Sequence, residues 1–319
     1  MKAALITRYG SPDVIRVADV PKPVAASGEV LVKVLATSVN RTDCGELVGG
    51  IARVAYGLFR PRRQIFGMDV AGVVEAVGPG VRSFAPGDRI FGMCPGRRNG
   101  AQAEYVCLPE LAPIAPLPPN IPFEQAPICE GPFYASAMIR GLAVGPGIHI
   151  LVFGASGAIG SAAVQLAKIC GAEVTAAVEP RHIELARSLG ADRVVDSTSS
   201  DFRKLRNRFD IVYDSVGKMP IRQWRRLLKP GGTFATTDAG PRGQNLLAWL
   251  GALIIRSTKI RIPVPTRASA RPFVVELRDM LAEGRFRPVI DRTYRLDDIV
   301  DAYRYVRSGQ KAGVVVVVP

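Results

Sequence analysis

The stretch that most limits what this chain can fold into is "IHILVFGASGAIGSAAVQLAKICGA", residues 148 to 172. A continuous apolar run ends at Gly154, glycines recur at Gly157 and Gly160, and Ala162, Ala163, Leu166, Ala167 and Ile169 then follow at helical spacing up to Gly171. A strand buried on both faces that turns directly into a helix is the first half of a βαβ unit. In that setting Gly154 permits the tight turn, Gly157 lets a pyrophosphate approach bare backbone, and Gly160 lets the helix lie close to the strand. The helix start, around Ala158 and Ile159, offers unpaired N–H groups to phosphate, and Ser156 supplies either a hydroxyl donor or a turn residue. Spaced glycines alone are a weak signal, since any βα turn can carry them. The strand before and the helix after give the pattern its force and point to dinucleotide binding.

The alternation continues downstream. "EVTAAV", "DRVVD", "DIVYDSVG" and "TFATT" read as strands, and "RHIELARSLG", a polar stretch near 199 to 208 and "IRQWRRLLKPGG" read as helices, the last expected to stop at Pro230. Strands alternating with helices mean a doubly wound parallel sheet. The end of the second strand reads "AAVEPRH". Glu179 lies where an acid would bond the adenosine ribose of NAD, and Arg181 lies where a cation would meet the 2′-phosphate of NADP, so the two signals conflict. His182 reads as a helix-surface residue or a stacking partner for adenine.

The first third has another texture. "AALI", "EVLVKVLATSV", "VAGVVEAV" and "AEYVCL" are short strands bounded by Gly, Pro and Asp. Prolines cluster from Pro109 to Pro127, which reads as an extended connector with a domain boundary nearby. After about residue 268 come a helix, a strand, a second helix and the strand "GVVVVV". The fold expected is α/β: a β-rich domain over residues 1–120, completed by about 268–319, with a dinucleotide-binding domain over 121–267.

Composition narrows the function. No apolar run is long enough to span a bilayer, and the four-residue apolar run after Lys2 is too short for a signal peptide, which makes the cytoplasm the expected location. Cys44, Cys94, Cys107, Cys129 and Cys170 are odd in number and form no CxxC pair, which argues against a disulfide framework or a compact zinc site. The net charge of +14 comes with basic clusters at Arg60, Arg62 and Arg63, at Arg203 to Arg208 and at Arg222 to Lys229. No basic stripe alternates with aromatics and the clusters fall on separate elements, so nucleic-acid binding is not expected, although charge alone favours anionic surfaces. "NLLAWLGALIIRSTKIRIPVP", 245 to 265, reads as a helix and strand at a domain interface or a homodimer contact, with an amphipathic membrane contact as the sharper alternative. In "FGMDVAGVVEAVGPG", 66 to 80, Asp69 opens a strand-like run, and a metal ligand, a catalytic group and a structural pin are all open readings for it.

Taken together, these stretches resemble the medium-chain dehydrogenase/reductase superfamily, most closely its zinc-free quinone oxidoreductase branch. The resemblance covers essentially the whole chain. It is carried by "KAALITRYGSPDVIRVADVPKPVAASGEVLVKVLATSVNRTD", "FGMDVAGVVEAVGPGVRSFAPGDRIFG", "LVFGASGAIGSAAVQLAK", "RSLGADRVVD" and "QKAGVVVVV" in the family's order. It implies a GroES-like catalytic domain, a Rossmann-type cofactor domain, and a cleft that takes NADPH, or NADH, with a substrate. The implied activity is hydride delivery to quinones or to the activated C=C of enones and enals. Zinc-containing relatives carry Cys at the position of Asn40 and His-Glu where this chain has Met68 and Asp69. Asn, Met and one carboxylate do not make a zinc shell, and the only histidines are His149 and His182, so the chain is expected to be metal-free.

Without a metal, a substrate carbonyl must be polarised by hydrogen bonds. The resemblance points to Asn40 as a donor to the substrate or the ribose, to Asp43 as a residue orienting its neighbours, and to Tyr134 as a hydrogen-bond or proton donor or a packing aromatic. It also places Gly217, Thr236 and Lys311 near the cofactor, in keeping with ligands binding at the carboxyl ends of parallel strands; Asp214 there is as readily a turn residue. A metal-free alcohol or aldehyde dehydrogenase and a non-catalytic NADPH-binding redox sensor are the competing readings.

Overall fold

The computed structural model of the chain describes residues 1–49, 57–94, 100–237, 259–262 and 265–319. Most of the apolar stretch 245–265 lies outside the described residues. Backbone contacts divide the chain into two units, Met1–Glu130 with Arg267–Pro319, and Gly131–Thr266.

The first unit opens with an antiparallel pair, β1 (Lys2–Leu5) on β2 (Arg16–Asp19). Next comes β3 (Glu29–Val39), whose only exposed residue is Lys33. Its β-branched content suits an extended strand covered on both faces. β3 runs directly into α1 (Arg41–Val48), and β4 (Asp69–Val77), β5 (Arg89–Met93), β6 (Tyr105–Pro109) and β7 (Ile114–Pro116) follow. The helix α2 (Glu130–Gly141) begins on the last residue of this segment.

The second unit alternates without interruption: β8 (His149–Phe153), α3 (Ala158–Ile169), β9 (Glu173–Val178), α4 (Ile183–Ser188), β10 (Arg193–Asp196), α5 (Ser200–Lys204), β11 (Phe209–Asp214), α6 (Ile221–Leu227), β12 (Leu228–Thr236) and β13 (Lys259–Arg261). The six strands are all parallel, in the order β10-β9-β8-β11-β12-β13. Strand order reverses between β8 and β11, the switch point at which doubly wound sheets bind dinucleotides. The core on one face is aromatic: Trp224 stacks on Phe234 with ring centroids 4.4 Å apart, beside Phe202 and Phe209.

The chain then returns to the first unit with α7 (Arg267–Ala282), β14 (Ile290–Arg295), α8 (Ile299–Ser308) and β15 (Val314–Val318). β15 inserts between β14 and β3, giving a sheet ordered β14-β15-β3-β4-β5-β7, with β6 also paired to β3. Leu47 of α1 and Ile299, Tyr303 and Val306 of α8 bury against Val39, Val315 and Val317.

Two elements end earlier than their sequence patterns do. α6 stops at Leu227 rather than at Pro230, because Leu228 turns extended and its N–H bonds back to Trp224. Strand pairing then jumps from Phe209↔Leu228 to Ile211↔Thr233, which leaves Pro230 in a bulge where its missing N–H costs nothing. The polar helix expected near 199 to 208 is only Ser200–Lys204, capped by Ser199, whose Oγ accepts from Phe202 N at 3.1 Å. Leu205 is extended and Asn207 has φ 49°, so the chain turns there.

Candidate active site

The carboxyl edge of the second sheet carries the glycine turn. Gly154 follows β8 at φ +77°, and a Cβ on it would lie 2.7 Å from Val216 Cγ1 and 3.1 Å from Ser215 Oγ, atoms of the turn after β11. A Cβ on Gly160 would lie 2.2 Å from Gly154 O and 2.8 Å from Ala155 Cα, so only glycine lets α3 sit this close to the strand. Gly157 differs. A Cβ there would meet nothing nearer than Gly154 O at 3.6 Å, an ordinary contact, and its φ of −73° suits any residue. Nothing in the packing requires glycine at the N-cap of α3. Space is open at the one position where a side chain would stand between the helix N-terminus and an approaching phosphate, and the first turn of α3 contains no acid. Ala158 and Ile159 supply the first helical backbone, and Ser156 sits half-buried in the turn. These residues fit a pyrophosphate.

The neighbouring strand ends complete the edge. Asp214 Oδ1 accepts from Val216 N at 3.1 Å and Gly217 N at 2.8 Å, and Oδ2 accepts from Met219 N at 2.8 Å. Asp214 therefore pins the turn, while its burial raises the carboxyl pKa. Thr236 ends β12 and is fully buried. Just beyond β9, Arg181 Nη2 pairs with Glu179 Oε2 at 2.9 Å, both half exposed. The carboxylate and the cation that carry opposite cofactor signals are thus each other's partners. Tyr134 is half-buried on α2.

The first unit holds a buried polar network. Ser38 and Asn40 lie two positions apart at the end of β3, so they share a side of the strand. Asp69, the first residue of β4, is fully buried beside them and Glu130. Its Oδ2 accepts from Ser38 Oγ at 2.8 Å and Asn40 Nδ2 at 3.1 Å, and its Oδ1 accepts from Glu130 N at 2.9 Å. Asn40 Nδ2 also donates to Ser38 Oγ at 2.9 Å, so both amide hydrogens are taken within the network. Asp43 Oδ2 accepts from Asn40 N at 2.8 Å and its Oδ1 from Gly67 N at 3.2 Å, which ties the start of α1 to the segment ahead of β4. Gln102 Nε2 donates to Ser38 O at 3.0 Å and accepts at Oε1 from Tyr303 OH at 2.9 Å. A buried Arg63–Glu46 ion pair adjoins the cluster.

Burial sets the electrostatics. It pushes Asp69 up to about 6, against the bonds from Ser38, Glu130 N and Asn40 that favour its charged form. It pushes Asp43 up to about 7, against the Asn40 N–H. It pushes Glu130 up to about 8, with the charges of Asp43 and Asp69 adding to the rise. Glu130 Oε2 is buried without a hydrogen-bond partner. Lys311 donates to Gly313 O at 2.5 Å, and burial pulls its ammonium down to about 8 while Glu130 pulls it back up. Carboxyls that repel one another in a dry site share protons near neutral pH.

The donors do not fit zinc. The Asn40 amide and the Asp69 carboxylate are committed to each other, to Ser38 and to Glu130, and Met68 offers only a thioether. Among the described residues no group of three or more His, Cys, Asp and Glu is placed to hold a metal ion.

Sequence reasoning missed Ser38, Glu130, Gln102 and Tyr303. Ser38 had a signal, its period-2 relation to Asn40. Glu130 had one as well, a lone acid heading an apolar helix. Gln102 and Tyr303 had none, because their pairing spans 201 residues.

Two family models match the chain: an alcohol dehydrogenase GroES-like domain over residues 26–119 and a zinc-binding dehydrogenase domain over 189–317. The chain is 31% identical to the 2-methylene-furan-3-one reductase of Solanum lycopersicum, over all of this chain and 79% of that protein. It is 29% identical to the chloroplastic quinone-oxidoreductase QR1 of Triphysaria versicolor, over all of this chain and 98% of that one. Among solved structures, a mycobacterial protein in complex with NADPH superposes with TM-score 0.80 at 26% identity, over the whole of both chains. With a GroES-like sheet, a six-stranded parallel sheet of doubly wound order and full-length relatives of this kind, the chain belongs to the medium-chain dehydrogenase/reductase superfamily, in its quinone-oxidoreductase-like branch.

Proposed function

We propose that the chain is an NADPH-dependent oxidoreductase that delivers hydride to quinones or to the activated C=C bond of enones and enals, without a metal ion. The observation that carries this is Gly157, a glycine that packing does not require, at the helix N-terminus of a doubly wound sheet. Its relatives' names supply the acceptor class: one acts on an α,β-unsaturated ketone, another on quinones. NADPH supplies the hydride when bound.

In this reading Gly154, Ser156, Gly157, Ala158, Ile159 and Gly160 hold the pyrophosphate, and Gly217 and Thr236 line the same strand edge. Arg181 leaves Glu179 to meet the 2′-phosphate, a stronger charge-assisted partner than one exposed carboxylate. Asn40, with both amide hydrogens taken, acts as a positioning residue rather than a donor to substrate, and Asp43 holds it in place. Tyr134 offers a phenol as hydrogen-bond donor. Burial brings Glu130 and Lys311 each to about 8, so either can hold a proton near neutral pH, and proton supply after hydride transfer does not call for a histidine.

The test is NADPH oxidation by the purified protein with a panel of quinones, enones and enals, beside NADH. Turnover with NADPH and these acceptors is expected. Oxidation of simple alcohols in their place would favour the alcohol dehydrogenase reading, and NADPH binding with no turnover on any acceptor would favour a redox sensor.

A further inference from the structure

The second sheet has an opposite edge, where its strands begin, and there the fold joins two arginine clusters that lie apart in sequence. Asn207 N donates to Arg226 O at 2.8 Å and Arg208 N donates to Leu227 O at 2.9 Å, tying the turn after α5 to the end of α6. Arg203, Arg206, Arg208, Arg225 and Arg226 are exposed along this edge, and Arg222 is exposed about one turn back along α6. Among the described residues none of the six is paired with a carboxylate. The acids nearby, Asp201 and Asp210, are taken by Lys204 at 3.1 Å and Lys229 at 2.8 Å. Arg203 donates to Thr198 O at 2.9 Å, and Arg206 to the carbonyls of Arg203 at 2.7 Å and Leu205 at 2.8 Å. Carbonyl partners fix these guanidinium groups in place without neutralising them.

We propose that this amino-terminal edge at β11 and β12 docks the protein on an anionic lipid surface. The charge complementarity is that of six exposed, unneutralised guanidinium groups, two of them held by carbonyl oxygens, for a sheet of phosphates. The aromatics near these clusters, Phe202, Phe209 and Trp224, are all buried, so the face presents charge with no ring on which a nucleic-acid base could stack. Gly154, Gly217 and Thr236 lie at the other ends of β8, β11 and β12, so docking leaves the glycine turn uncovered. The proposal does not rest on hydride transfer.

The experiment is co-sedimentation of the full chain with vesicles of phosphatidylcholine alone or with about one-third phosphatidylglycerol. Binding is expected only to the anionic vesicles, weakening as salt rises from about 50 to about 300 mM. The variant R206A/R208A/R222A/R225A should bind at least about a hundredfold more weakly, at roughly fivefold per arginine. The double variant R222Q/R225Q, milder for folding, should lose roughly twentyfold. A control with four exposed arginines of the first unit removed, R8A/R16A/R82A/R295A, should stay within about threefold of the parent. NADPH affinity, read by fluorescence, should be unchanged in all three and reports their folding. Equal losses in the two fourfold variants would overturn the proposal, since binding would then follow net charge alone. So would equal binding to neutral vesicles. Displacement from vesicles by duplex DNA at equal phosphate would reassign the face to nucleic acid.

Discussion

At the glycine turn of the second unit, Gly154 and Gly160 lack side chains because neighbouring atoms fill the space, whereas Gly157 lacks one with the space left open. In the acid network of the first unit Asp69, Asp43, Ser38 and Asn40 meet partners a hydrogen bond away, whereas Glu130 Oε2 is buried without one. One region is marked by what is absent, the other by what is crowded.

Substitutions can separate the two kinds of glycine. Gly160→Ala forces a methyl into the backbone at Gly154 and Ala155, and should cost about 3 kcal/mol in denaturant unfolding along with NADPH binding. Gly157→Ala should leave stability within about 0.5 kcal/mol, yet weaken NADPH about tenfold or more in a binding titration. Equal stability losses from the two would erase the distinction.

Asp69→Asn probes the crowded region. An amide offers one acceptor oxygen where the carboxylate meets three donors, so one N–H would face another and stability should fall by about 2 kcal/mol. Metal analysis of parent and variant should show the same content; a metal lost with the substitution would contradict a structural role for Asp69.

Arg181→Ala should weaken NADPH about tenfold and NADH far less. Equal effects on both cofactors would remove Arg181 as the 2′-phosphate partner.

The last prediction concerns the pH profile. Asp69, Asp43 and Glu130 have folded-state pKa values raised to about 6, 7 and 8, so the native chain holds protons that the unfolded chain has already released. Their contribution is fully present below the ordinary carboxylate range and is lost as pH rises through about 6 to 8, a fall on the order of 1 kcal/mol per pH unit. Lys311 acts in the opposite sense and higher up: its pKa is depressed to about 8, so deprotonation above that value restores stability. Glu130→Gln should flatten the upper part of the fall in urea melts. A parent profile already flat between pH 6 and 8 would mean that these carboxyls stay charged.

The two regions also differ in how far they can be read from residues alone. The glycine turn is a local pattern in which strand, turn and helix are adjacent, so its place in a parallel doubly wound sheet follows from periodicity. The network is assembled by pairing. Ser38, Asp69, Glu130 and Tyr303 become neighbours only through antiparallel register, one helix start and a returning helix, none of which leaves a mark at short range. The pairing of Glu179 with Arg181 was within reach at a separation of two, but spacing does not say which of two opposite charges faces a ligand. The arginine clusters show the same limit: they read as separate because their elements are separate, and two backbone hydrogen bonds join them.

The position of β15 bears on how the protein comes together. Val316 pairs with Ser38, so the strand that carries the network receives a neighbour from near the other end of the chain. The second unit is one continuous segment and needs nothing outside it to close its sheet. The first must wait, with the last residues of β3, 37 to 39, open on one side, for residues about 275 positions later. On a ribosome the cofactor sheet can form while the acid network is still incomplete, and the unpaired edge of β3 is the surface that a growing chain most needs to keep from other strands.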